Sequence, residues 1–128
     1  MTDKIVVMVT CGSQAEAKKI ARAVVKARLA ACANVLGSPV ESIYWGKGKV
    51  ETAKEMLLLV KSTRKRFSAL EREIRRLHRY DTPEIIALPI VEGSRAYLRW
   101  IEESRQSANV SRERTLLATR LLFRKSHI

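Results

Sequence analysis

Two long extended stretches, AACANVLGSPVESIYW (residues 30–45) and KVETAKEMLLLVKS (residues 49–62), flank a short GKG at residues 46–48. Apolar and β-branched residues on either side of a glycine-containing turn predict a β-hairpin. Its arms are each about twelve to sixteen residues long, where a typical strand has about five or six. One helix layer of a small domain cannot cover a ribbon of that reach, and its free edges invite pairing with other chains. Two outcomes stay open: a bend or bulge at Gly37-Ser38-Pro39, or a homo-oligomer that uses these edges, with arm length favouring the oligomer.

The remaining elements set the hairpin in a fold. KIVVMVT, ending at Cys11-Gly12-Ser13, is a β-branched run suited to a strand buried on both faces. Ser13 and Glu16 have the spacing of a capping box. Ala17, Ile20, Ala21 and Val24 recur at helical spacing, with Lys18, Lys19, Arg22 and Lys26 on other faces, which predicts an amphipathic helix ending near Arg28. Thr63 is placed to cap a second helix in which Phe67, Leu70, Ile74 and Leu77 form the apolar stripe. TPEIIALPIV reads as a strand with prolines near its entry and exit, and Ser94 starts a short helix through Tyr97, Leu98, Trp100 and Ile101. Trp100 and Tyr97 are expected to be packing residues rather than site residues. The order β-α-β-β-α-β-α indicates a ferredoxin-like α+β sandwich: a βαββαβ core with an antiparallel sheet, helices on one face and a C-terminal helix.

A chain of 128 residues suits one domain with one sizeable core. We expect residues 1–103 to form it and residues 104–128 to be a basic C-terminal extension. RERTLLATRLLFRKSHI within that extension has helical amphipathic spacing; a helix docked on its own oligomer, a membrane-surface or partner-binding tail, and disorder remain open. The net charge is +12, and residues 104–128 carry six Lys/Arg against one Asp/Glu, so the tail holds a disproportionate share. Such an excess attracts phosphates. Single-strand readers need exposed aromatics among basic residues, and the basic stretches offer only Phe67 and Phe123 at apolar-face positions. Any nucleic-acid binding should therefore be nonspecific and steeply salt-dependent.

No apolar run reaches the roughly eighteen residues of a membrane span, and the N-terminus lacks the pattern of a signal peptide, so a cytoplasmic protein is expected. Cys11 and Cys32 fit neither a disulfide framework nor a CxxC knuckle and read as small, reduced, buried thiols. There is no G-x-S-x-G elbow, P-loop or HExxH, so an enzyme is not expected.

The densest chemistry lies in HRYDTPE, residues 78–84. His78, with Asp81 or Glu84 nearby, could hold a divalent ion or move a proton. It also closes a helix, where an imidazole can meet the last free carbonyls, while Pro83 holds Thr82 extended and fixes where the next strand begins. Structural junction and ligand cleft both remain open.

RLAACANV, SIYWGKGKVE, LLLVKS, HRYDTPEIIALP and YLRWIEE together resemble, in order and spacing across roughly residues 5–103, the CutA divalent-cation-tolerance proteins. The resemblance implies a ferredoxin-like subunit assembled as a homotrimer through its hairpin and sheet edges. It also implies a non-enzymatic role in tolerance of or response to copper and other divalent ions. The alternative is a small-molecule signalling trimer like the PII proteins. The segment after the second helix would face a groove between subunits. Tyr44, Trp45, Lys49, Glu51, Lys61, Tyr80 and Glu84 are the groove candidates the resemblance implies for a metal or small ligand, with His78 as the metal candidate. The family's usual His-Pro-Tyr-Glu is His78-Arg79-Tyr80-Asp81 here. Of the copper ligands proposed for some bacterial members only His78 matches: Leu77 replaces a histidine and Cys11 lies slightly beyond the cysteine position.

Overall fold

The computed structural model describes residues 2–104, in which β1 (Lys4–Cys11), α1 (Gln14–Lys26), β2 (Cys32–Val35), β3 (Val40–Gly46), β4 (Lys49–Thr63), α2 (Phe67–Leu77), β5 (Ile85–Pro89) and α3 (Arg95–Ser104) follow one another. The sheet order is β2-β4-β1-β5, with β3 also on β4, and every pairing is antiparallel. This is the ferredoxin-like α+β arrangement that the periodicity predicts. The basic extension expected at residues 104–128 lies outside the described residues beyond Ser104.

Alternation along the central strands builds the core. Ile5, Val7, Val9 and Cys11 of β1 and Met56, Leu58 and Val60 of β4 point to one face and are buried. Ala17, Ile20, Ala21 and Val24 of α1 and Leu70 and Ile74 of α2 cover that face. Each fully buried Leu, Ile or Val stabilises the fold by about 1.5–3 kcal/mol relative to an exposed one. Trp100 and Ile101 of α3 are also buried, outside this main cluster.

The long first arm is not one strand. Val35 pairs with Leu58 and Val40 with Glu55, so residues 36–39 oppose only residues 56 and 57 of β4. Leu36 N–H still donates to Leu57 O at 3.1 Å, and the chain then bulges through Gly37-Ser38-Pro39. The second arm, β4, is continuous for 15 residues and holds both β2 and β3. At the hairpin tip Lys47 (φ 53°) and Gly48 (φ 80°) both take left-handed conformations, the pair of positive φ values that a tight type I′ turn requires.

The first helix ends close to where expected, and three other local expectations change. α1 ends at Lys26, and Arg28 occupies the left-handed position (φ 60°) of a Schellman motif closed by Arg28 N–H to Val25 O and Leu29 N–H to Val24 O, each 3.0 Å. Only half of the capping box forms: Ser13 Oγ accepts from Glu16 N–H at 3.2 Å, but the Glu16 carboxylate turns elsewhere. Thr63 does not cap α2, because a 3₁₀ turn at Arg64–Arg66 intervenes and leaves Thr63 Oγ1 buried without a hydrogen bond. The last strand is shorter than TPEIIALPIV, running only from Ile85 to Pro89.

Candidate functional site

The junction after α2 is built around His78. Its backbone N–H closes α2 on Ile74 O at 2.9 Å, and its ring turns inward rather than toward the last carbonyls of the helix. Nε2–H donates to Thr10 O at 2.7 Å, and Nδ1 accepts from Tyr80 N–H at 3.1 Å. Both ring nitrogens are thus engaged by backbone, which defines a neutral tautomer with its proton on Nε2. Beside it, Glu16 Oε2 accepts from Arg79 N–H at 2.7 Å and Oε1 from Gly12 N–H at 3.2 Å. One helix therefore satisfies backbone donors from two loops.

Cys11, Glu16 and His78 each offer a potential ligand atom, all within 4.8 Å of one another, and all three residues are buried. Burial first, then the charges of Glu16 and Glu55, push the Cys11 thiol up to about 12. A metal bound there would need that thiol deprotonated and would compete with the hydrogen bond of the one His78 ring nitrogen it took. As arranged here, the hydrogen bonds of His78 and Glu16 knit β1, α1 and the post-α2 loop together.

Tyr80 lies two residues on and links this junction to the hairpin. Its ring packs at 4.8 Å from that of His78, and its hydroxyl donates to Glu55 Oε2 at 3.0 Å, joining the loop to the hairpin. A Cβ on Gly12 would stand 3.2 Å from Tyr80 Oη, so a glycine at the end of β1 lets the ring lie close. Partial burial first, then the hydrogen bond and charge of Glu55, raise the Tyr80 phenol to about 12.

Beyond this bond lies an open cleft of about 620 Å³, lined by Thr10 of β1, Ser42, Ile43 and Tyr44 of β3, Ala53 and Glu55 of β4, and Tyr80, Thr82 and Glu84 of the loop. Its polar groups are two carboxylates and several hydroxyls. Oxygen donors of this kind suit a hard divalent cation, whereas copper favours imidazole and sulfur.

Of the residues singled out from sequence, Tyr44, Tyr80 and Glu84 line the cleft. Glu51 sits opposite Tyr44 across the hairpin, and its charge and hydrogen bond, after partial desolvation, raise the Tyr44 phenol above its usual range. Trp45 is 77% exposed near the tip and Lys49 pairs with Gly46 at the turn, so neither lines the cleft. Lys61 is farther off: it pairs with Cys32 and Val6, and its ammonium donates to Asn34 Oδ1. His78 lies behind the cleft. Glu55, Ser42, Thr82 and Thr10 were missed. Counting by twos from Glu51 along β4 reaches Ala53 and Glu55 on the same face, a signal present in the sequence; Thr10 joins only through the tertiary fold.

The family model described as CutA1 divalent ion tolerance protein matches residues 5–104. The divalent-cation tolerance protein CutA of Thermus thermophilus is 46% identical over 99 residues, covering 77% of this chain and 95% of that relative. Human Protein CutA is 42% identical over 103 residues, covering 80% of this chain but only 57% of that longer relative. Among solved structures, CutA from Xylella fastidiosa superposes with a TM-score of 0.79 at 34% identity, covering 82% of this chain and all (100%) of that one.

Proposed function

The chain belongs to the CutA1 divalent ion tolerance family, and from that premise we propose that it is a homotrimeric cation-binding protein of the metal-tolerance response, acting without catalysis. The observation that carries this reading is the cleft between hairpin and loop, where Glu55 and Glu84 stand among the hydroxyls of Tyr44, Tyr80, Ser42, Thr82 and Thr10. A single chain leaves it open on one side, and a neighbouring subunit would close it.

Exposed apolar side chains support the assembly. Ile43, Trp45 and Val50 at the hairpin and Ile86, Leu88 and Val91 on or after the edge strand β5 are exposed in one chain. β5 pairs only with β1 and leaves its other edge open among the described residues. Closed symmetry removes such edges. In this reading Tyr44, Glu51, Tyr80 and Glu84 serve the ligand cleft and Trp45 and Lys49 serve the subunit contact. His78 positions Tyr80, and a hard divalent cation fits the cleft better than copper. The expected cytoplasmic location suits two free cysteines, Cys11 and Cys32, which stay reduced there. The family domain in this reading is the matched stretch, residues 5–104, with the remaining C-terminal segment an extension of it.

Native mass spectrometry of the full chain with added Mn²⁺ tests the reading. A trimer of the 14.5 kDa chain that takes up manganese supports it. A monomer overturns the trimeric reading, and a trimer that ignores manganese and takes up only a small organic molecule overturns the cation assignment in favour of a PII-like signalling role.

A further inference from the structure

The positive charge of the domain is concentrated on one layer of the fold. Residues 14–28 and 64–79, which form α1, α2 and their flanks, contain twelve Lys/Arg and three Asp/Glu, whereas the rest of the first 103 residues contains seven Lys/Arg and nine Asp/Glu. One of the three acids, Glu16, is buried and occupied by backbone N–H groups.

Helical geometry turns this excess outward. Lys19, Arg22 and Lys26 lie on α1 opposite its buried stripe of Ala17, Ile20, Ala21 and Val24, and all three are exposed. Arg72, Arg75 and Arg76 lie on α2 opposite Leu70 and Ile74 and are likewise exposed. Glu71 and Glu73 flank this face and pair with Arg75 and Arg76 at 3.8 and 2.5 Å. Lys19, Arg22, Lys26 and Arg72 have no ion-pair partner among the described residues. The two helices pack side by side on the sheet. They therefore carry two neighbouring rows of cations on helices whose axes lie about 8–10 Å apart, the usual distance of packed helices.

What the layer lacks is equally informative. Its only large exposed apolar residue is Val25; the other exposed ones lie on the hairpin, at Tyr80, and on or after β5. A membrane-surface helix needs an apolar face to insert beside its cations. A single-strand reader needs aromatics for stacking. A duplex needs neither, because its phosphates can be met by cations alone.

We propose that the outer face of α1 and α2 is a docking surface for the phosphate backbone of double-stranded nucleic acid, independent of base sequence. It is distinct from the cleft and stands on the folded domain rather than on the basic tail.

The test is anisotropy of a labelled mixed-sequence DNA duplex titrated with the full chain from about 50 to about 200 mM salt, a range over which phosphate contacts weaken steeply. One full-length variant carries Lys19→Gln, Arg22→Gln, Lys26→Gln, Arg72→Gln, Arg75→Gln and Arg76→Gln. A second carries Arg112→Gln, Arg114→Gln, Arg120→Gln, Arg124→Gln and Lys125→Gln. The helix variant should bind at least about tenfold more weakly at low salt, its log-log salt slope becoming about 0.9 less negative for each lost contact. The tail variant should keep the larger part of the affinity. If the helix variant loses its helical circular dichroism, the pair Arg22→Glu and Arg72→Glu takes its place. Wild-type affinity in a folded helix variant, absence of duplex binding by the wild type, or tighter binding to phosphatidylserine vesicles than to duplex at equal salt would each overturn the proposal.

Discussion

His78 donates its Nε2–H to the carbonyl of Thr10, 2.7 Å away and 68 residues earlier in the chain. That bond ties the end of α2 to the end of β1 and, through Nδ1, fixes the backbone of Tyr80. The histidine therefore touches the backbone of Tyr80 without lining the cleft itself.

Replacing it should cost stability first. His78→Ala leaves Thr10 O and Tyr80 N–H without partners in a buried site, an effect of about 2–4 kcal/mol. Urea denaturation of the variant should show a lowered midpoint with an unchanged slope. Wild-type stability combined with complete loss of metal binding would instead mark His78 as a ligand.

Alkaline pH should weaken the fold. Cys11 moves from its ordinary 9.0 to about 12 and Tyr80 from 10.0 to about 12. Both groups are neutral when protonated, and the fold favours that form. Their stabilisation is complete below pH 9 and is lost as pH rises toward 12. Stability measured in denaturant should fall across that window, and Cys11→Ala should flatten its lower part. A thiol reagent at pH 8 to 9 should modify Cys11 only after unfolding. Equal reactivity of Cys11 in native and unfolded chains would contradict the burial.

Backbone handedness gives a paired expectation. Gly48 at φ 80° should tolerate alanine poorly, with a loss of about 1 kcal/mol. Arg28 at φ 60° carries a side chain where glycine is preferred, and Arg28→Gly should raise stability by up to about 1 kcal/mol. Thermal melts of the two variants should move in opposite directions.

Assembly should be separable from folding. Trp45→Glu and Leu88→Glu alter exposed positions outside the core cluster. Each should lower the mass seen by light scattering at low protein concentration while leaving the circular dichroism of the chain intact. An unchanged mass in both variants would remove the hairpin and β5 from the subunit contact.

Periodicity made the fold legible. The β-branched run KIVVMVT and the helical spacing of Ala17, Ile20, Ala21 and Val24 named much of the core, and the glycine turn located the hairpin. The run is expected to be buried on both faces, whereas β1 buries Ile5, Val7, Val9 and Cys11 on one face and leaves Val6 and Met8 only half-buried on the other. Leu36–Pro39 bulge because Gly37 and Pro39 break the ladder, while the unbroken β4 across from them keeps the sheet continuous. Thr63 looks like a cap in sequence, but three basic residues wind into a 3₁₀ turn before α2 begins. The candidate cleft was half legible. Tyr44, Tyr80 and Glu84 came from the motif order, and Glu55 was available from strand alternation. That His78 would face inward to Thr10 depends on contacts between distant segments, which no local pattern records.

The most direct test of the central claim is calorimetric titration of Mn²⁺ into the full chain, its Glu84→Gln and Glu55→Gln variants, and a Cys11→Ser variant. The cleft reading predicts that each glutamine variant weakens manganese binding by about tenfold or more, as loss of one charged ligand implies, while Cys11→Ser leaves it unchanged. Binding that survives both glutamine changes and disappears with Cys11→Ser would move the metal to the buried Cys11–Glu16–His78 cluster and contradict the account.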